Sequence, residues 1–246
     1  MAGRLTNKVA LVVAAGGAMG SSVPFLFARE GANVVVSARR MAPLEELASR
    51  IQAHLPANSG EVACATGDAL TAEGCQAMVQ ATTDRFGKLD IVYSNLGEAV
   101  RGAKEIDQVD DATWRYLVDA NLTSHVCVLR AALPELRRSR GNAILVAAAA
   151  SVRQGGSPGY AAAKAGLIAF VAHQARQLKS AGVRVNCIGP GSVGGSRGEA
   201  DFAEPAPELD RAPHPADVGY AAVYLASDEA ALITGQYLDI DAGASL

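Results

Sequence analysis

Aromatic residues are scarce. Six tyrosines, five phenylalanines and one tryptophan make up 5% of the 246 residues, while half the chain is apolar. The core must then come from alanine, valine, leucine and isoleucine rather than large rings, which suits an α/β protein with buried parallel strands. Charge of one sign is lacking too. The net charge is −3 and no lysine or arginine block occurs, so a nucleic-acid partner has no electrostatic footprint. No apolar run reaches membrane-spanning length, and the opening MAGRLTNK has no signal-peptide core. A cytoplasmic protein is expected, with neither a membrane nor a nucleic acid as partner. The four cysteines (Cys64, Cys75, Cys127 and Cys187) show no Cys-x-x-Cys spacing and read as buried free thiols of a reducing compartment. His54, His125, His173 and His214 form no pair with metal spacing and read as surface or packing residues, so no metal is expected. The length allows one large domain or two small ones. Neither a linker nor a repeat divides the chain.

The stretch that organises the chain is VALVVAAGGAMGSSVPFLFAREGANVVVSARR, residues 9–40. Residues 9–13 are an apolar run of strand length, rich in β-branched side chains. Residues 14–20 are small and contain three glycines. Residues 21–30 are helix-like, with Val23, Leu26 and Phe27 on one face. Gly31 ends that helix, and a second apolar strand begins at Asn33. Such a unit sets the N-terminus of a helix beside a tight turn, where free N–H groups and the helix dipole favour a phosphate. Glycine suits the turn because side chains would hold a pyrophosphate away from the backbone. Pro24 is expected within the first turn of the helix, where its missing N–H costs little.

After the second strand come Arg39 and Arg40. In dinucleotide folds this strand end lies over the adenosine ribose. An acidic residue there binds the ribose 2′-hydroxyl, whereas arginine accommodates a 2′-phosphate. Arg39, helped by Arg40, therefore reads as selecting NADP(H), with NAD(H) the alternative. The plainer reading makes both arginines solvated helix-start residues.

Taken whole, the stretch resembles the first unit of the short-chain dehydrogenase/reductase family. That family has Gly-x-x-x-Gly-x-Gly in the turn. The gapless match puts Ala14, Ala18 and Gly20 on its three glycines, so one glycine is kept. Gly17 stands where NADP-using relatives often carry a basic residue. Gly17 and Met19 complete the expected turn around the cofactor.

The resemblance continues along almost the whole chain. A helix over 43–55 precedes a strand over 61–66. Asp68 and Ala69 follow, where the family meets the adenine; capping the helix from Thr71 is the other reading of Asp68. Residues 89–97 form a strand that ends in Ser94-Asn95-Leu96-Gly97. The family has Asn-Asn-Ala-Gly there, so Asn95 and Gly97 keep the pattern. They would line the cofactor ribose, while on chemistry alone Asn95 reads as a support of the turn. Residues 111–138 read as one long helix. Asn121 is a poor residue inside it, and is either an exposed polar position or, as the resemblance implies, the anchor of a water in a proton relay.

Residues 142–150 read as a strand ending at the cleft. The family places a catalytic serine here, thirteen residues before its tyrosine. Counting back from Tyr160 reaches Ala147, and aligning by the strand reaches Ala149; neither is serine. Ser151 is the nearest hydroxyl and would reach the site only through a rearranged loop over 152–159.

Tyr160 and Lys164 stand at i and i+4, on one helical face. A phenol ionises near pH ~10, and a neighbouring ammonium lowers that value. The resemblance makes Tyr160 the proton donor and gives Lys164 a second task, holding the nicotinamide ribose. A strand over 183–188 leads into Gly189-Pro190-Gly191. By resemblance Pro190, Gly191 and Val193 meet the nicotinamide. Residues 192–207 read as a mobile lid or a disordered loop. A helix over 215–227 and a strand over 236–240 close the chain. The expectation is a single doubly wound α/β domain over 1–246 with a mainly parallel sheet. Its function would be carbonyl/alcohol oxidoreduction on a small organic substrate, performed by a homodimer or homotetramer. A degenerate cofactor-binding subunit and a non-redox enzyme are the alternatives.

Overall fold

The computed structural model of the protein describes residues 3–16, 18–98, 105–193 and 202–246. Seven strands form one sheet: β1 (Val9–Val13), β2 (Asn33–Ala38), β3 (Val62–Thr66), β4 (Ile91–Ser94), β5 (Asn142–Val146), β6 (Arg184–Pro190) and β7 (Tyr237–Ile240). Their spatial order is β3-β2-β1-β4-β5-β6-β7, and every neighbouring pair is parallel. The order reverses between β1 and β4, which opens a crevice at their carboxyl ends.

The strands are apolar throughout because both faces are covered. Successive side chains of a strand point to opposite faces. Ala10 and Val12 pack under α1 (Ala18–Arg29), α2 (Met41–His54) and α8 (Pro215–Ala226). Leu11 and Val13 pack under α3 (Ala72–Phe86), α5 (Ser124–Ser139) and α7 (Pro158–Leu178). Alanine is common here, and Gly219 of α8 shows the closeness this permits: a methyl there would lie 2.3 Å from Leu26 Cδ1 of α1.

Three local features differ from expectation. First, α1 begins at Ala18, so Pro24 is its seventh residue and lies inside the helix. Second, 111–138 is not one regular helix. It divides into α4 (Asp111–Val118), a wide π turn (Asp119–Thr123) and α5. The Ser124 N–H bonds Asp119 O, five residues back. Third, β5 stops at Val146, and a short helix α6 (Ala150–Gln154) stands where a plain loop is expected. Thr71, not Asp68, caps α3; its side chain accepts from the Gly74 N–H.

The expected lid is divided. Residues 194–201 lie outside the described residues. Beyond them Phe202 is docked on the outer layer, 4.7 Å from the Phe25 ring and 5.0 Å from the His54 ring. Glu204 meets Arg29 at 3.2 Å. Residues 202–204 are therefore fastened to α1 and α2 instead of lying over the cleft, because Phe202 finds an aromatic platform there.

Candidate functional site

The crevice between β1 and β4 widens into a cleft of about 750 Å³. One end is lined by Ala14, Gly16, Met19, Arg39 and the loop after β3, including Asp68 and Ala69. The other end is lined by Tyr160, Lys164, Ala147 and Val193, with Asn95 and Gly97 between. Both ends are products of the parallel topology, which brings every strand's carboxyl end to one edge.

The phosphate turn keeps its backbone shape without its first glycine. Ala14 adopts φ 63°, a left-handed conformation that disfavours a side chain. A methyl at Gly16 would meet nothing within 4 Å, so the turn opens to free space at the mouth of the cleft. Gly20 lies in the first turn of α1, and Gly17 lies outside the described residues. Arg39 lines the cleft, whereas Arg40 does not; it occupies the N-cap of α2 without a side-chain bond. Asp68 lines the cleft, and its Oδ1 accepts from the Leu70 N–H at 3.0 Å.

The centre is built on Gly97, Asn121 and Lys164. A methyl on Gly97 would lie 2.8 Å from both Asn121 Oδ1 and Lys164 Nζ, so only glycine lets the loop pass between them. Asn121 is fully buried behind the cleft wall. Its Oδ1 accepts from the Glu98 N–H at 3.0 Å, and its Nδ2 donates to Glu98 O at 2.8 Å and to Leu117 O at 2.9 Å. The wide turn around Asn121 makes that last bond available within the helix, so the residue clamps the loop at Glu98. It is not the exposed polar position that was the plainer expectation.

Lys164 is 2% exposed and donates to Leu96 O and Val146 O, both at 2.7 Å. Burial lowers its pKa to about 7, opposed by the Cys187 thiol. The Tyr160 phenol is not lowered as expected. Burial raises the Tyr160 phenol above its ordinary value, and the charge that opposes this comes from Arg153. Lys164 spends its donors on two carbonyls, and burial weakens its hold on the proton.

Ser151 is not brought to the cleft, which corrects its candidacy as a substitute hydroxyl. Its Oγ lies 3.4 Å from Asp241 Oδ2, and its N–H donates to Ser245 Oγ at 3.0 Å. Turning the chain into α6 directs this residue to the C-terminal segment. Pro190 and Gly191 are also not on the wall. Pro190 O accepts the Ala149 N–H, and the Gly191 N–H bonds Ile240 O, so they brace the ends of neighbouring strands. Ala147 does line the cleft, where it leaves room and no donor.

Sequence reasoning missed a buried pair beneath the site. The Ser94 hydroxyl donates to His125 Nδ1 at 2.8 Å, and His125 Nε2–H donates to Leu96 O at 2.9 Å. A carbonyl only accepts, which assigns the tautomer. Burial, helped by Lys164, holds the His125 pKa well below its usual range, so the ring is neutral. Leu96 O thus receives both His125 and Lys164. The signal was present: serine replaces the first asparagine of the family pattern just where histidine falls in the facing helix. Glu98 and Tyr116 were also missed. Both line the cleft, and the Tyr116 hydroxyl donates to the Glu98 carboxylate, which raises the phenol's pKa.

An elongated cleft with a helix N-terminus and an arginine at one end, and a lysine at a glycine-only approach at the other, fits a dinucleotide. Among the described residues no group of His, Cys, Asp and Glu is arranged to hold a metal, and no helix is long and apolar enough to cross a membrane.

A family model described as enoyl-(acyl carrier protein) reductase matches residues 13–245. A 3-oxoacyl-[acyl-carrier-protein] reductase of Synechocystis is 31% identical over 97% of each chain. A trans-4-hydroxycyclohexanecarboxylate dehydrogenase of Sinomonas cyclohexanicum is 32% identical over 98% of this chain and 93% of its own. The solved structure of a short-chain type dehydrogenase/reductase from Mycobacterium ulcerans superimposes with a TM-score of 0.85 at 26% identity, covering 98% of this chain and 90% of that one.

Proposed function

Because the chain belongs to the short-chain dehydrogenase/reductase family of NAD(P)-dependent oxidoreductases, we propose that it interconverts a carbonyl and an alcohol on a small organic substrate with NADP(H). The observation that carries this reading is Tyr160 and Lys164 on one wall of the cleft, at the end opposite Arg39. When bound, the nicotinamide supplies or accepts the hydride. The Tyr160 hydroxyl exchanges the proton with the substrate oxygen. Lys164, with Asn95 and Gly97, holds the nicotinamide ribose. Asn121 keeps the Glu98 loop closed beneath it and anchors a relay water. Ala14, Gly17, Met19 and Gly20 take the pyrophosphate, Asp68 and Ala69 border the adenine, and Val193 meets the carboxamide. Arg39 receives the 2′-phosphate and sets the preference over NAD(H). The protein works in the cytoplasm as a homodimer or homotetramer built from this single domain.

The missing serine narrows the substrate. Losing one hydrogen bond to the developing oxyanion costs about 3 kcal/mol, roughly a hundredfold in rate. Substrates carrying their own hydroxyl or a second carbonyl near the reacting carbon offset this loss; simple ketones do not. The name of the Synechocystis relative supports this class, because a 3-oxoacyl group carries a second carbonyl.

The test uses purified protein, NADPH and a panel of simple ketones, 3-oxo esters and a 2-enoyl thioester, the last chosen from the description of the family model. Consumption of NADPH with the 3-oxo esters is expected, and slower consumption with simple ketones. Tyr160→Phe is expected to lower turnover by about a hundredfold or more while NADPH binding persists. Turnover unchanged in that variant overturns the assignment. NADPH binding without turnover on any carbonyl favours the competing reading of a degenerate subunit, for which Ala147 and Ala14 speak.

A further inference from the structure

If Tyr160 exchanges the proton, as proposed above, its phenol needs a lasting positive charge nearby. Lys164 supplies that poorly, being buried and bonded to two carbonyls. A second cation belongs to the turn that packs on the tyrosine ring. Arg153, in α6, lies at the end of β5, where its Nη1 donates to Ala148 O and, at 2.9 Å, to the Tyr237 hydroxyl. Its guanidinium carbon is 5.4 Å from the centre of the Tyr237 ring, within cation–π range. Arg153 enters none of the ion pairs among the described residues. From Arg153 the chain turns at once against the tyrosine. The Gly156 N–H bonds Arg153 O, and a methyl on Gly156 would lie 2.8 Å from Tyr160 Cδ1.

We propose that Arg153 is a positioning residue for Tyr160: its guanidinium, bonded to the carbonyl of Ala148 next to Ala147, supplies the fixed charge that favours the phenolate in a site without the serine hydroxyl. Arginine suits the task because its guanidinium stays protonated in a protein, even where a buried lysine does not. Its charge opposes the upward push of burial on Tyr160. The other titratable and charged groups about the pair are Lys164 on α7, His125 on α5, Cys187 on β6, Tyr237 and Asp239 on β7, Asp241 against Ser151 of α6, and Glu98 and Tyr116 across the cleft. Cys187 senses Lys164, Arg153 and Asp239 together, so the charges form one local field. Asp239 is engaged by the Tyr237 hydroxyl and forms no ion pair with the guanidinium among the described residues.

The experiment is a pH titration of the full chain carrying 13Cζ-tyrosine, followed by NMR, with the Tyr160 signal assigned by its loss in Tyr160→Phe. Arg153→Gln keeps a donor for Ala148 O and removes the charge; Arg153→Met is the second charge-free variant should the first not fold. Each is expected to raise the Tyr160 titration by about one pH unit, the smaller end of the effect of a nearby charge. Arg153→Lys is expected to restore it, and Tyr237→Phe, which loosens the anchor but keeps the charge, to leave it in place. A charge-free variant that titrates like the unmodified protein overturns the proposal. So does a Tyr237→Phe shift as large as that of Arg153→Gln, because packing would then be the cause. The readout needs no turnover, so it decides the role of Arg153 even if the carbonyl panel shows no activity.

Discussion

Lys164 is a buried cation, and its hydrogen bonds go to carbonyls. Burial brings its pKa to about 7, against ~10.4 in an unfolded chain. Between those values the unfolded chain binds the extra proton, so stability rises with pH above 7, and the penalty is fully present below it. Two buried thiols act the other way. Burial pushes Cys75 up to about 11 and Cys187 up to about 12, and unfolded thiols ionise from ~8.5. The lysine effect is therefore cleanest from pH ~7 to ~8.5. Urea unfolding across that window should give a rising stability for the unmodified protein. Lys164→Met should flatten the rise and be the more stable protein near pH 6. Parallel curves for the two proteins would refute the buried ammonium. Arg39 stands at the opposite end of the cleft and is exposed. If it holds a 2′-phosphate, Arg39→Ala should weaken NADPH binding about tenfold to a hundredfold, the value of a charged hydrogen bond, and leave NADH binding nearly unchanged. Fluorescence titration with both cofactors measures this, and equal affinities in the unmodified protein would remove the premise.

At the scale of elements, the break in the helix over 111–139 is where a fold feature becomes a site feature. A regular helix would leave Asn121 competing with its own backbone. The wide turn Asp119–Thr123 instead gives its amide Leu117 O and both polar groups of Glu98. Asn121→Ala strips all three partners from buried or half-buried backbone groups, each worth ~1–3 kcal/mol when left unsatisfied. A loss of about 3 kcal/mol in unfolding free energy is expected, with weaker cofactor binding. An unfolding midpoint equal to that of the unmodified protein would show that the loop does not depend on this clamp. The apolar side of this helix was legible from its spacing. Its widened turn was not, because a π turn keeps the same residue types and changes only which carbonyl each N–H finds. Short α6 escaped notice for a related reason: with five residues it spans little more than one turn, too little for periodicity to register.

At the scale of the whole molecule, α7 presents a small apolar outer face. Ala162, Ala165 and Ala169 of α7 are exposed, and Trp114 of α4, which packs near Gly159 of the same helix α7, is partly exposed. Small residues let helices approach closely, and the indole adds apolar area. A homodimer or homotetramer is expected by light scattering at micromolar concentration. Ala165→Glu, which places a charge on that face without touching the cleft, should shift the mass downward. A monomeric unmodified protein would rule this assembly out.

What the sequence determined by itself is the alternation of apolar strands and amphipathic helices, hence the parallel sheet, the crevice at its carboxyl edge and the i, i+4 pairing of Tyr160 with Lys164. These follow from local periodicity and topology, both written in neighbouring residues. Tertiary structure alone decided which groups share an environment. It turned Ser151 toward Asp241 and away from the cleft, and joined Ser94 to His125 across 31 positions. It buried Lys164 among carbonyls and packed the turn that follows Arg153 on the Tyr160 ring. Burial and long-range hydrogen bonds set a group's charge and direction, and both depend on residues far away in the chain.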